Sequence, residues 1–279
     1  MKIIKLIISL CFLVLILSNV SLAQYPWLDS YDSAQSIANR IPPPDGYKRI
    51  EVEEGSFQQW LQNLPLKEGK PPIYLYSGEK KFFQLANYAV IDIDVGDKDL
   101  QQCADAVIRL RSEYFYSRGQ YDSIAFNFTS GQRFRYTDWL KGISPEVKHN
   151  DVIWKELPER ENNREVFKEY LEILFTYAGS YSLNQELQEV DDLNKIRIGD
   201  VFIDGGFPGH AVIVVDIAES VKSGKKILLL AQGYNPAQDM HIVKNPTNFS
   251  LSPWFKLDFG KRLYMLEWVF GRNDLMRFR

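Results

Sequence analysis

Apolar positions recur at three- and four-residue intervals in two long stretches of this chain, and at every or every second position in most of the others. Leu100, Cys103, Val107, Leu110 and Tyr114 form one such stripe. It predicts a helix that begins after Asp99, opens on Asp99 and Gln102 in the pattern of a capping box, and ends at Gly119. Phe167, Tyr170, Leu171 and Leu174 form the second stripe, predicting a helix from Arg164 to Tyr177 with Gly179 as its stop. Ser56 is placed to cap a shorter helix, Phe57 to Asn63, with Phe57, Trp60, Leu61 and Leu64 on one face. Elsewhere the pattern is that of strands. Ile73 to Tyr76, Tyr88 to Val95 and the alternating Ser123 to Phe128 come first, then Ile196 to Ile203, His210 to Asp216, Ile227 to Gln232 and Met240 to Val243, separated by Gly-rich or charged turns.

A helix followed by a meander of strands predicts an α+β fold, with the helix bearing Cys103 laid on one face of an antiparallel sheet. Pro42-Pro43-Pro44-Asp45-Gly46 and Pro71-Pro72 mark turns in the first third, and no flexible linker follows them. Residues 24–95 are therefore expected to form an N-terminal lobe packed on residues 96–279, all within a single globular domain spanning 24–279.

The first 23 residues have a different character. Lys2 and Lys5 precede the apolar run Leu6 to Leu17, and Ser21-Leu22-Ala23 supplies the small residues that a signal peptidase needs. As a helix that run rises about 18 Å, too little for a hydrocarbon core of about 30 Å. The expectation is a signal peptide cleaved before Gln24, export to the periplasm or the outside, and no membrane span. Loss of Lys2 and Lys5 takes the net charge from −3 to −5, which argues against nucleic acid or an anionic bilayer as a partner. With 45% apolar residues, the remainder can bury a core that needs no disulfide.

Removal of Cys11 with the leader leaves Cys103 as the one thiol of an exported chain, so it has no internal disulfide partner. Such a cysteine is either buried and inert or kept free for chemistry. Its place near a helix start favours chemistry, because the unpaired backbone N–H groups and the helix dipole there can lower a thiol pKa and receive an oxyanion. His210 follows the loop Gly205-Gly206-Phe207-Pro208-Gly209 and opens the apolar run Ala211 to Val215. That position suits a general base whose other ring nitrogen is oriented by a neighbour. If Asp216 pairs with Lys226 across the turn, His210 lies opposite Gln232, whose amide would fix the imidazole tautomer. A slip of one residue would turn Gln232 away and leave Asn235 as the next choice.

Gly199-Asp200-Val201-Phe202-Ile203, Gly209-His210-Ala211-Val212-Ile213-Val214-Val215-Asp216 and Leu229-Leu230-Ala231-Gln232 give a Gly-Asp strand, a Gly-His strand and a strand with a polar third residue. They follow a Cys at a helix start. In this order the chain resembles the papain-like cell-wall amidases and endopeptidases of the CHAP and NlpC type. The resemblance implies a papain-like core, with Cys103 as nucleophile, His210 as base and Gln232 as orienting residue. It also implies hydrolysis of an amide bond in a peptide or peptidoglycan-like substrate, in the manner of a thiol protease and without a cofactor. A degenerate member would bind peptide or glycan in the same cleft without turnover. Over nearly the whole mature chain, the segments Cys103-Ala104-Asp105-Ala106-Val107-Ile108-Arg109-Leu110-Arg111 and Ala231-Gln232-Gly233-Tyr234-Asn235-Pro236-Ala237-Gln238-Asp239 resemble an uncharacterised family of exported bacterial proteins, which brings no activity with it.

His149, His210 and His241 with Asp204 and Asp239 lack the short spacings of a metal site, and no metal is expected. Asn127-Phe128-Thr129 and Asn248-Phe249-Ser250 match glycosylation sequons, which matter only in a eukaryotic secretory pathway. Trp139, Trp154, Trp254 and Trp268 are expected in packing rather than as a sugar platform.

Overall fold

Six α-helices are formed among residues 24–149 and 151–279, which a computed structural model describes. The leader expected at residues 1–23 lies outside the described residues. The helices are α1 (Ile37–Arg40), α2 (Phe57–Gln62), α3 (Cys103–Ser117), α4 (Tyr136–Leu140), α5 (Arg164–Tyr177) and α6 (Ser180–Glu186). Ser56 Oγ accepts the Gln59 N–H and so opens α2, while Asn163 Oδ1 accepts the Val166 N–H and opens α5. The third helix starts later than its apolar stripe suggests. Asp99 is diverted, its carboxylate accepting the Ala237 N–H at 2.7 Å, and the Gln102 N–H is instead taken by Asp105 Oδ2. Cys103 thereby becomes the first residue of α3.

Helix α3 is also buried on more than its predicted stripe, because Arg109 and Glu113 lie inside with it. Burying those charges is tolerated only because they are paired. Arg109 Nε donates to Glu113 Oε1 at 2.7 Å, and Arg164 of α5 forks onto both oxygens of Glu113 at 2.7 and 2.9 Å.

The sheet has nine strands, and every pairing in it is antiparallel. In chain order they are β1 (Tyr47–Arg49), β2 (Asn87–Val90), β3 (Gln188–Glu189), β4 (Val201–Asp204), β5 (His210–Ser220), β6 (Lys226–Gln232), β7 (His241–Val243), β8 (Phe255–Lys256) and β9 (Leu275–Arg277). Their spatial order is β2-β7-β6-β5-β4-β9-β3, with β1 added to β5 and β8 to β6. The molecule is thus α+β, as the pattern predicts. Helices α2 and α3 pack against β5, which is buried from His210 through Ala218.

The central hairpin differs in register from the expected one. Strand β5 runs on to Ser220, and Lys226 pairs with Glu219 rather than Asp216. The ladder continues to Leu229↔Asp216 and then resumes at Leu230↔Val214, so Val215 is the extra residue of a β-bulge. At the bulge Asp216 is fully buried, and its carboxylate accepts from Arg49 Nε at 2.6 Å and Gln62 Nε2 at 2.8 Å. Strand β1 and helix α2 are therefore fastened to the middle of the sheet, and β2 lies in the sheet as well. Ile73 to Tyr76 forms no strand; Tyr74 and Leu75 make single bridges to Lys80 and Gln238. Among the described residues no helix is long and apolar enough to cross a membrane.

Candidate active site

The geometry of the sheet's open end is set by two close approaches. A Cβ on Gly233, just past β6, would stand 2.9 Å from Gln102 O and 3.0 Å from Ala106 Cβ, so only glycine lets the first turn of α3 come this near. A Cβ on Gly209 would stand 2.2 Å from Ser180 Oγ and 2.6 Å from the carbonyl oxygens of Asp204 and Gly206. These contacts bring α3 against the end of β6, and α6 against the loop that leads into β5.

Cys103 is 9% exposed and His210 and Gln232 are each 2% exposed. The backbone N–H groups of Ala211, Ala104 and Cys103 itself lie toward the sulfur of Cys103 and favour its thiolate. Ala211 is the residue next to His210, so the thiol lies at the mouth of the strand that His210 opens. The expected drop in thiol pKa does not follow. Burial, reinforced by Asp105, outweighs these N–H groups and pushes the thiol up to about 11.

His210 Nε2 lies 2.9 Å from Gln232 Oε1. The proton positions follow from the rest of the chain of contacts. Gln232 Nε2 donates to Glu267 Oε2 at 2.8 Å, and Glu267 is in turn ion-paired with Lys81. A carboxylate only accepts, so the amide nitrogen must face Glu267 and the amide oxygen must face His210. Nε2 of His210 therefore carries the hydrogen, and Nδ1 presents a lone pair. Gln232 Nε2 also lies 3.3 Å from His241 Nε2, whose own Nδ1 is 3.2 Å from the Asp239 carbonyl; His241 thus holds its hydrogen on Nδ1. Burial lowers His210 to about 4 and His241 to about 3, so both imidazoles are neutral at pH 7. Tyr234, Trp268 and Phe270 enclose the His210 ring, with centroids 5.0, 5.2 and 5.9 Å away.

Gln232 reaches His210 although it is not directly opposite. Pairing of Ala231 with Ile213 puts Gln232 beside Val212, which shares a face with His210. Of the two alternatives read from the sequence, Gln232 makes the imidazole hydrogen bond, while Asn235 lines the adjacent cleft. Glu267 and Lys81, which orient Gln232, carry no local motif and are separated from each other by 186 positions. Pairing signals at that separation are invisible in a single sequence.

The cleft beside Cys103 has a volume of about 460 Å³. Its walls include Asp99, Asp105, Ser180, Asn235 and the Gly206–Gly209 loop. Phe207, 82% exposed, and Tyr181, 42% exposed, stand at its rim as an aromatic pair with centroids 5.9 Å apart. A cavity of about 590 Å³ lies on the far side of Leu100 and Phe175, which line both spaces. No group of three or more His, Cys, Asp or Glu side chains with metal-holding geometry occurs among the described residues.

Fold and site together define a mixed α+β protein whose large antiparallel sheet carries a hydrogen-bonded imidazole and amide at one end, with a buried thiol on the first residue of α3. The chain belongs to the DUF4846 family, described as a domain of unknown function, whose model matches residues 37–277. No curated protein and no solved structure matches it.

Proposed function

We propose that this protein is an exported cysteine hydrolase of papain-like design that cleaves an amide bond, with cell-wall peptide as the substrate class. The observation that carries the reading is the tautomer of His210. Its Nε2–H is spent on Gln232, which leaves the Nδ1 lone pair free to take a proton. The helix-start position of Cys103, its N–H contact from Ala211 and the adjacent cleft support the same reading.

The free site rests as neutral thiol and neutral imidazole, so the proton moves only as the sulfur attacks. The S–C bond forms, the thiol proton passes to His210 Nδ1, and the carbonyl π pair moves onto oxygen. Collapse breaks the C–N bond, with the Nδ1 proton going to the leaving amine, and leaves a thioester on Cys103. Water then attacks the thioester, giving a proton to His210, and the released thiolate recovers it. The rim aromatics Phe207 and Tyr181 offer apolar surface to the groups flanking the bond.

A second reading is binding of peptide or glycan in this cleft without turnover, favoured by the raised thiol. Incubation with cell-wall peptides decides between them. The hydrolase reading expects new amine ends from the wild type and none from Cys103→Ser; binding with no new amine ends establishes the second reading instead.

A further inference from the structure

Arg109 and Arg111 stand two residues apart on α3 in different settings. Arg109 is held by Glu113 and Gln101. Arg111 is also partly buried, yet among the described residues it pairs with no carboxylate and donates to no oxygen. Its guanidinium carbon stands 4.4, 4.8 and 5.1 Å from the ring centroids of Phe115, Phe57 and Phe278. Such rings attract the cation, but they do not accept its N–H groups as an oxygen would. Burial lowers its pKa to about 10, so the group is still charged at pH 7. Arg49, Arg164 and Arg277, which are drawn in from solvent as well, each have a carboxylate at 2.6 or 2.7 Å. A desolvated cation without one calls for an anion from outside the chain.

The space beside Arg111 fits one. Arg111 and Phe115 line a cavity of about 390 Å³, with the end of α6 and the hairpin of Ala125–Asn127 and Arg133–Arg135. Arg133 and Arg279 add two more guanidinium groups to its wall. Glu186, its one acidic side chain, is already engaged: Oε1 accepts the Asn127 N–H at 2.6 Å, and Oε2 accepts from Arg133 at 2.9 Å. Phe126 and Phe278 supply apolar wall, and the volume is many times the roughly 30 Å³ of a water-sized group. None of these residues lines the cleft beside Cys103, and Arg111 lies eight positions, about 12 Å, further along α3. We propose that this cavity is a second ligand site, which takes a small organic anion: the Arg111 fork receives a carboxylate or phosphate group, and the phenylalanines receive the apolar body that bears it.

Calorimetric titration of the whole protein tests this with benzoate, phenyl phosphate, inorganic phosphate and the neutral benzamide. Benzoate or phenyl phosphate binds, and the tighter of the two names the anionic group. Benzamide and inorganic phosphate bind about tenfold more weakly or less, the one lacking the charge and the other the apolar body. Arg111→Met keeps the length and the ring contacts without the charge, and lowers the affinity about tenfold or more. The bound anion raises the urea midpoint of the wild type and leaves that of Arg111→Met where it was. Cys103→Ser binds the anions as the wild type does. No binding of either organic anion, benzamide or inorganic phosphate bound as tightly as they are, or equal affinity in Arg111→Met overturns the site. The comparison of benzoate with benzamide uses the wild type alone, so it decides even where the variant fails to fold. Loss of binding in Cys103→Ser would move the anion to the cleft and overturn the site as well. None of these failures touches the hydrolase reading, which turns on new amine ends.

Discussion

Glu267 Oε2 accepts a hydrogen bond from Gln232 Nε2 at 2.8 Å, and through that amide it decides which nitrogen of His210 holds the hydrogen. The side chains of Lys81 and Glu267 are only 10% and 9% exposed, so neither charge has much water to replace its partner. Lys81→Met leaves the Glu267 carboxylate buried without compensation and lowers stability by about 3 kcal/mol or more in urea titrations. Glu267→Gln frees the Gln232 amide to turn over. Nitrogen NMR of His210 at pH 7 then shows a mixture of tautomers where the wild type shows the Nε2–H form alone.

Both buried imidazoles have depressed pKa values, so the stability they contribute is complete above the unfolded value of 6.5. It is lost as pH falls toward about 4 for His210 and about 3 for His241, since the unfolded chain takes up protons first. Urea midpoints measured at pH 7, 5.5 and 4.5 should fall steadily. His241→Gln should flatten that decline; an equally steep decline in this variant would place its origin elsewhere.

The Cys103 thiol has the opposite sign. Its folded value of about 11 lies above the ordinary 9.0, so its contribution is full below pH 9 and disappears as pH rises to about 11. In the free protein, iodoacetamide alkylation is correspondingly slow at pH 7 and climbs through pH 10. A profile centred near neutrality in the wild type would contradict the burial of Cys103.

Gly233→Ala forces β6 away from Gln102 and Ala106 and costs about 1–3 kcal/mol, the range for an overpacked contact. Because the same contact places α3 beside the end of β6, amide turnover falls along with stability. Gly260→Ala, at a glycine with nothing near its absent side chain, provides the control for conformational strain alone.

Phe207 is held at the cleft rim with 82% of its surface exposed. Phe207→Ala should raise KM for an amide substrate by several fold and leave kcat nearly unchanged, with folding unaffected. A fall in kcat at constant KM would show that the ring acts on the reacting atoms instead.

The register of the central hairpin shows how far a sequence can be read here. Alternation and polarity pointed to His210 and Gln232 on one face, but by way of an Asp216–Lys226 pair that does not form. Extension of β5 to Ser220 shifts the ladder by three residues, and the bulge at Val215 returns one of them. The net shift is even, so Gln232 keeps its face although its direct neighbour becomes Val212. A bulge inside an unbroken apolar run leaves no mark in composition. The start of α3 was obscured in a similar way, because Asp99 serves the Ala237 N–H on a distant loop. The thiol pKa turned on the competition between a helix start, visible in sequence, and burial, which only the packed structure reveals.

The attachment of residues 47–62 to the bulge bears on how this protein can be divided. Arg49 and Gln62 supply the partners of the buried Asp216, β1 covers the Ser220 half of β5, and β2 covers β7. A fragment beginning at residue 96 would contain Cys103, His210 and Gln232, yet it would carry two bare strand edges and an uncompensated carboxylate in its centre. The candidate site is therefore not an excisable module. Fusions, shuffled chimaeras and shortened expression products that omit the N-terminal third would aggregate through those edges, and residues 47–62 and β2 belong to any unit that is to carry this site.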